Sequence, residues 1–290
     1  MGAKYDPDHI RRFYDGYGER EWERLNADPR ARVIFHIHRW YLEQFTEAGQ
    51  QVLEAGAGPG RFTIELAKLG ARVTVGDLSP GQLELNRLKV EDAGLAACVA
   101  QRVLLDIVDC SQFSSESFDA VVCYGSPLNY VFDRADDALS EMLRVTKRGG
   151  YVLLSVTSAL NTYLPWLVDL VRKVGLEEVQ RILDTGDFDG DAAAGHPMRS
   201  YRWSRLRALL DRHPAEVVAV SASNFLATVE SIPSLAKIEE DQAFWEAFLG
   251  WEVDCCREPG ALDCGSHIIA VLRRPRMSDD VVIVNGIPAD

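Results

Sequence analysis

Gln51-Val52-Leu53-Glu54-Ala55-Gly56-Ala57-Gly58-Pro59-Gly60 decides the architecture. Its first five residues form a short, largely apolar run that stops at a glycine, the pattern of a buried strand. Glycines at positions 56, 58 and 60 let the backbone turn sharply and approach a ligand closely. Arg61 to Leu69 then reads as a helix, whose N-terminus faces the turn. Downstream the rhythm repeats. Ala71 to Asp77 reads as a second strand, and Ser79-Pro80 opens a helix with a cap and a first-position proline. Val99 to Leu105, Phe118 to Tyr124 and Tyr151 to Val156 follow as strands, with a helix from Ala135 to Val145 that Lys147-Arg148-Gly149-Gly150 is read to stop. Strands alternating with helices predict a parallel sheet covered on both faces.

The flanks are less regular. From Asp8 to Phe45 the chain is rich in charge and aromatics, and Val33, Ile34, Ile37, Tyr41 and Leu42 recur at helical spacing. Beyond Thr157, a helix is expected from Leu160 to Ile182 and a flexible acidic loop from Asp184 to Gly195. Then come a helix over Ser200–Asp211, a strand near Ala215–Val220, a helix carrying Phe244, Trp245, Phe248 and Leu249, and a terminal strand over Ser266–Leu272. These divide the chain into an N-terminal helical cap (1–48), a core (49–157), a helical insertion or lid (158–199), the remaining core elements (200–275) and a tail (276–290).

Of the 290 residues, 47% are hydrophobic and 26% charged, enough for a packed core. A formal net charge of −13 repels phosphate backbones and anionic lipid, so neither nucleic acid nor membrane is expected as a partner. The six cysteines lack paired CxxC spacing, which argues against a zinc site and for reduced thiols. With no apolar stretch of spanning length and a polar N-terminus, a cytoplasmic location is expected.

A lone glycine-rich turn is weak evidence, and the dinucleotide fingerprint would need a glycine where Arg61 stands. The arrangement E-x-G-x-G-x-G over Glu54–Gly60 instead resembles motif I of the class I S-adenosylmethionine-dependent methyltransferases, although aspartate is commoner at its first position. Asp77, at the end of the second strand, stands where an acidic residue accepts ribose hydroxyls. The resemblance continues through Leu105-Asp106-Ile107, the Phe118–Tyr130 segment and Leu143–Tyr151, and covers about residues 50 to 157. It implies a doubly wound, mostly parallel seven-stranded Rossmann-like α/β fold with a helical cap. It also implies S-adenosylmethionine as cofactor and S-adenosylhomocysteine as product. The cofactor-binding residues it implies are Glu54, Gly56, Ala57, Gly58, Gly60, Asp77, Leu78, Asp106, Ile107, Tyr124, Gly125 and Ser126; no metal is expected, given the cysteine spacing.

The acceptor side is harder to read. Methyl transfer is an in-line displacement that needs alignment and exclusion of water, with a general base where the acceptor carries a proton. His196, between the acidic loop and a helix, is the candidate base. His36 and His38 read as packing or surface residues and His267 as structural. Tyr14, Tyr17, Trp22 and Tyr130 are candidate substrate contacts. The expected activity is methyl transfer to oxygen or nitrogen of a small molecule. A protein or RNA acceptor, or a non-methylating protein that keeps the cofactor pocket, are the alternatives.

Overall fold

The computed structural model describes residues 4–189 and 196–276. Residues 190–195 of the expected acidic loop, and the expected tail beyond residue 276, lie outside them.

Among the described residues there are nine strands: β1 Gln51–Ala55, β2 Arg72–Asp77, β3 Val99–Leu104, β4 Phe118–Cys123, β5 Thr146–Thr157, β6 Asp187–Phe188, β7 Met198–Arg199, β8 Glu216–Ala222 and β9 His267–Arg273. Seven form one sheet in the order β3-β2-β1-β4-β5-β9-β8, parallel except for β9, which runs antiparallel to both of its neighbours. Strand order reverses between β1 and β4, opening a crevice at their C-terminal ends where open α/β sheets bind ligands.

The helices are α1 Pro7–Tyr17, α2 Glu19–Arg24, α3 Pro29–Phe45, α4 Arg61–Lys68, α5 Pro80–Asp92, α6 Ala135–Val145, α7 Ala159–Tyr163, α8 Leu167–Val174, α9 Leu176–Thr185, α10 Trp203–Leu210, α11 Leu226–Val229, α12 Ile232–Glu239 and α13 Gln242–Cys256. Adjacent strand residues point to opposite faces, which splits the core in two. Leu53, Val121 and Leu154 pack with Leu139 and Met142 of α6 and Leu206 of α10. Val52, Val122 and Ile269 pack on the other face with Ile37 and Leu42 of α3 and Leu66 of α4.

Local chemistry sets the helix ends. Asp6, Asp28 and Ser79 each accept a hydrogen bond from a first-turn N–H, and each precedes a proline at the first helical position. Three sequence expectations need correction. Helix α6 ends at Val145 as expected, but Lys147–Gly150 is itself part of β5, which begins at Thr146 rather than Tyr151, with Gly149 at φ +78° within the stretch where the register shifts. The single helix expected from Leu160 to Ile182 is three pieces, because Pro165 supplies no N–H and Gly175 takes φ +84°. The expected acidic loop opens with β6, which pairs with β7 and is pinned by an ion pair between Arg199 and Asp187 at 2.5 Å.

Candidate cofactor and acceptor site

A cleft of about 870 Å³, counted to its open mouth, lies over the C-terminal ends of β1, β2 and β4 and is roofed by α1 and α2. Of the residues singled out from sequence, Gly56, Ala57, Gly58, Asp77, Leu78, Asp106, Ile107, Tyr124, Gly125, Tyr14 and Tyr130 line it.

The glycine turn is shaped by neighbours on both sides. Gly56 sits at φ +77°, and a Cβ there would lie 2.4 Å from Pro127 Cγ, so the turn and the β4 loop touch backbone to ring. Gly60 caps α4 in the left-handed conformation against Asn86, whose Nδ2 would lie 2.9 Å from an added Cβ. Glu54 does not line the cleft. It is buried beneath the turn, where Thr63 Oγ1 donates to its Oε2 at 2.5 Å and Asn86 Nδ2 donates to Thr63 at 2.7 Å. Burial pushes the Glu54 carboxyl up to about 8 despite the Thr63 bond, and the nearby Asp77 charge adds to the rise.

Asp77 ends β2 under the turn. Gly58 N–H donates to its Oδ2 at 2.8 Å and Ser79 N–H to its Oδ1 at 2.9 Å. Burial raises this carboxyl to about 6, with the two N–H bonds opposing. Beside it, Gln82 Nε2 donates to the carbonyls of Tyr14 and Gly18 at 3.0 and 3.2 Å, which fixes the amide orientation. Its Oε1 is then a buried acceptor with no partner among the described residues. A carboxylate and an orphan amide oxygen side by side on the cleft wall fit a ligand carrying vicinal hydroxyl donors. Gln82 was missed from sequence because it sits in an ordinary helical first turn.

Asp106 follows β3, and its Oδ1 accepts from Tyr5 OH at 2.7 Å and from Val108 N–H at 3.0 Å. Ile107 is buried beside it. At the other end, Gly125 (φ +81°) and Ser126 (φ +75°) form a left-handed turn after β4, held where Ser155 Oγ accepts from Gly125 N–H at 3.1 Å. Ser126 is buried, bonded to Thr157 Oγ1, and does not line the cleft.

The roof is tied down by polar latches. Asp15 Oδ1 accepts from Ser79 Oγ at 2.5 Å and Gly81 N–H at 3.0 Å, and Tyr14 OH donates to Tyr130 OH at 2.9 Å. Arg61 donates from Nε to the Trp22 carbonyl at 2.9 Å and lies over the Trp22 ring at 3.9 Å, so Trp22 packs outside the cleft. Tyr17 stacks on Phe13, also away from it. Glu21 and Arg24, paired at 2.6 Å, line the cleft, and neither was singled out from sequence. A short charged helix carries no pattern that assigns one of its faces to a cavity.

His196 does not line the cleft. It is buried against the back of the roof, its ring 3.9 Å from Phe13 and 4.8 Å from Tyr130. Burial lowers its imidazole to about 4. Among the described residues, no three His, Cys, Asp or Glu side chains gather into a metal-binding group, and no helix is long and apolar enough to cross a membrane.

Comparison with known proteins accords with this geometry. Residues 52–150 match the family model described as a methyltransferase domain. A demethylmenaquinone methyltransferase from Thermobifida fusca (strain YX) is 32% identical over 184 residues, covering 61% of this chain and 73% of that protein. A malonyl-[acyl-carrier protein] O-methyltransferase from Serratia marcescens is 32% identical over 111 residues, 38% of this chain and 40% of that protein's length. Among solved structures, the cyclase SpnF superposes with a TM-score of 0.62 at 18% identity, covering 95% of this chain and all of that one (100%), a likeness of fold alone. The glycine turn over Glu54, the Asp77–Gln82 wall and these relatives lead to one conclusion: the chain belongs to the class I S-adenosylmethionine-dependent methyltransferases, with S-adenosylmethionine as its cofactor.

Proposed function

We propose that this protein transfers the methyl group of S-adenosylmethionine to a small molecule, at oxygen or nitrogen. The observation that carries the reading is the roof. Helices α1 and α2 cover part of the cleft, tied down through Asp15, Tyr14 and Arg61. A roofed cleft favours a small acceptor and limits water at the reacting end, which an in-line transfer to a weak nucleophile needs. The relatives named above act, by their names, on a demethylmenaquinone and on a malonyl-acyl carrier protein.

In this reading Asp77 and Gln82 receive the ribose hydroxyls, Asp106 and Ile107 the adenine, and the 56–58 turn with Tyr124 and Gly125 the methionyl end. Bound there, the cofactor supplies a methyl group on a sulfonium. The chain's own residues bind, orient and exclude water. Glu54 acts from beneath by holding the turn through Thr63, and Tyr14 and Tyr130 close the acceptor end. Helices α1 and α2 serve as cap, and His196 supports the roof from behind. Incubation with methyl-labelled S-adenosylmethionine and a size-fractionated cell extract tests the proposal. Label in low-molecular-weight product supports it, and label confined to protein or RNA refutes it.

A further inference from the structure

Helix α2 brings two charges into the cleft that the nucleoside assignments do not use. Glu21 and Arg24 lie one turn apart on it, and both line the cleft. Arg24 donates from Nε to Glu21 Oε1 and Oε2 at 3.0 Å each and from Nη2 to Oε1 at 2.6 Å. Nη1 is left without a partner among the described residues. The pair faces the two glycine loops of the floor. A Cβ added at Gly58 would lie 3.7 Å from Glu21 Cγ, and one added at Gly125 would lie 3.5 Å from Arg24 Nη2. Neither side chain is sealed off: Glu21 is 16% exposed and Arg24 33%.

The floor below them is short of hydrogen-bond donors. Gly56 and Ala57 N–H both donate to the Gly76 carbonyl, at 2.8 and 3.0 Å, and Gly58 N–H donates to Asp77. Pro59 has no N–H, and Gly125 N–H donates to Ser155 Oγ. The wall is also negative, with Glu21 and Asp15 close enough to act on the buried Asp77 carboxyl. An anionic ligand group at this end finds its donors taken and acids nearby, so it needs a cation. Among the described residues, Arg11, Arg24 and Arg61 line the cleft. Arg61 turns to the Trp22 carbonyl and ring, and Arg11 pairs with Asp8, which leaves Arg24 facing Gly125.

We propose, resting on the methyltransferase reading above, that Arg24 binds the carboxylate of the cofactor's amino-acid end, so that the cofactor itself ties the roof to the floor. A guanidinium offers two edges to carboxylates. Glu21 holds the Nε–Nη2 edge and orients the group, and the edge carrying Nη1 is left for the ligand. The ammonium beside the ligand's carboxylate then meets a Glu21 whose cation is shared. With adenosine on Asp77 and Gln82 of the floor, one ligand spans both sides of the cleft. Because α2 buries none of its residues fully, a charged bond of this kind is a large share of what holds it down. A ligand without the carboxylate fills the floor and leaves the roof to its own latches at Asp15 and Tyr14.

The test measures binding of S-adenosylmethionine, decarboxylated S-adenosylmethionine and 5′-methylthioadenosine to the full chain by calorimetry, with hydrogen exchange followed across α2. The first two ligands differ only in the carboxylate, and the third lacks the whole amino-acid end. Wild type should bind S-adenosylmethionine about 10- to 100-fold tighter than the decarboxylated form, the range for a hydrogen bond to a charged group. Arg24→Met should erase that preference yet bind the other two ligands within about threefold of wild type, since it keeps the apolar stem and loses only the charge. Arg24→Lys, which keeps the charge without the fork, should retain part of the preference. S-adenosylmethionine should slow exchange in α2 of wild type, whereas the decarboxylated form should not. Equal affinity of wild type for the first two ligands overturns the proposal, as does a preference that survives in Arg24→Met. A loss in Arg24→Met shared equally by all three ligands also overturns it, because it marks a structural role. Failure of wild type to bind any of the three strikes the methyltransferase reading instead.

Discussion

Asp77 is a carboxylate that the fold buries before any ligand arrives, held by two backbone N–H groups and raised to about 6. Ribose hydroxyls donate better to its ionised form, so affinity for S-adenosylhomocysteine should fall as pH drops through 6. Asp77→Ala should weaken binding by about 1–3 kcal/mol, the range for losing a buried hydrogen-bond partner, and should remove that pH dependence. Calorimetry between pH 5 and 8 checks both, and an unchanged dissociation constant refutes the ribose assignment. Glu54 makes a separate prediction. Its folded carboxyl stays protonated to about 8, whereas in the unfolded chain it ionises near its ordinary value of 4.5. Between those values the unfolded state binds fewer protons, so stability falls as pH rises across that window and levels off above it. Glu54→Gln can still accept from Thr63 but cannot ionise. Its thermal midpoint relative to wild type should therefore climb from pH 5 to pH 8; a constant difference across that range would mean that the carboxyl is not raised.

At the scale of elements, the cleft has a rigid floor and a latched roof. The floor is β1, β2 and β4, whose backbones hydrogen-bond through the sheet and whose side chains fill both halves of the core. The roof, α1 and α2, buries none of its own residues fully and leans on side-chain bonds such as Asp15 to Ser79 and Gly81. Elements with few buried contacts open at low cost. Asp15→Ala should therefore speed hydrogen exchange across residues 7–24 while exchange in β1 and β4 stays unchanged; uniform change in both would show that the roof and core unfold together. The floor was legible in the sequence because strand, glycine turn and acidic residue are contiguous or nearly so: Glu54–Gly60 and Asp77 carry their chemistry in local order. The roof was legible only in part. Tyr14 was singled out, but Tyr17 and Trp22 of the same aromatic stretch face elsewhere, and Arg24 and Glu21 gave no signal. Which face of a helix meets a cavity is set by packing against distant residues, here Ser79, Arg61 and Tyr130, that a local pattern does not encode. His196 shows the same limit, since its surroundings, Phe13 and Tyr130, come from elements far apart in the chain.

For the molecule as a whole, the acidic composition and the roofed cleft point the same way. A formal charge of −13 disfavours polyanions, and a roofed cleft disfavours bulky chains. The seven-stranded sheet does not by itself fix the reaction, since the superposable SpnF structure is described as a cyclase. The small-molecule reading rests instead on the roof and on the cleft's own side chains. One measurement tests it most directly: methyl-labelled S-adenosylmethionine, this protein and a size-fractionated extract, followed by the distribution of label. Label in a low-molecular-weight product is the predicted result. Label confined to protein or RNA, or none anywhere while S-adenosylmethionine binds, would contradict the account.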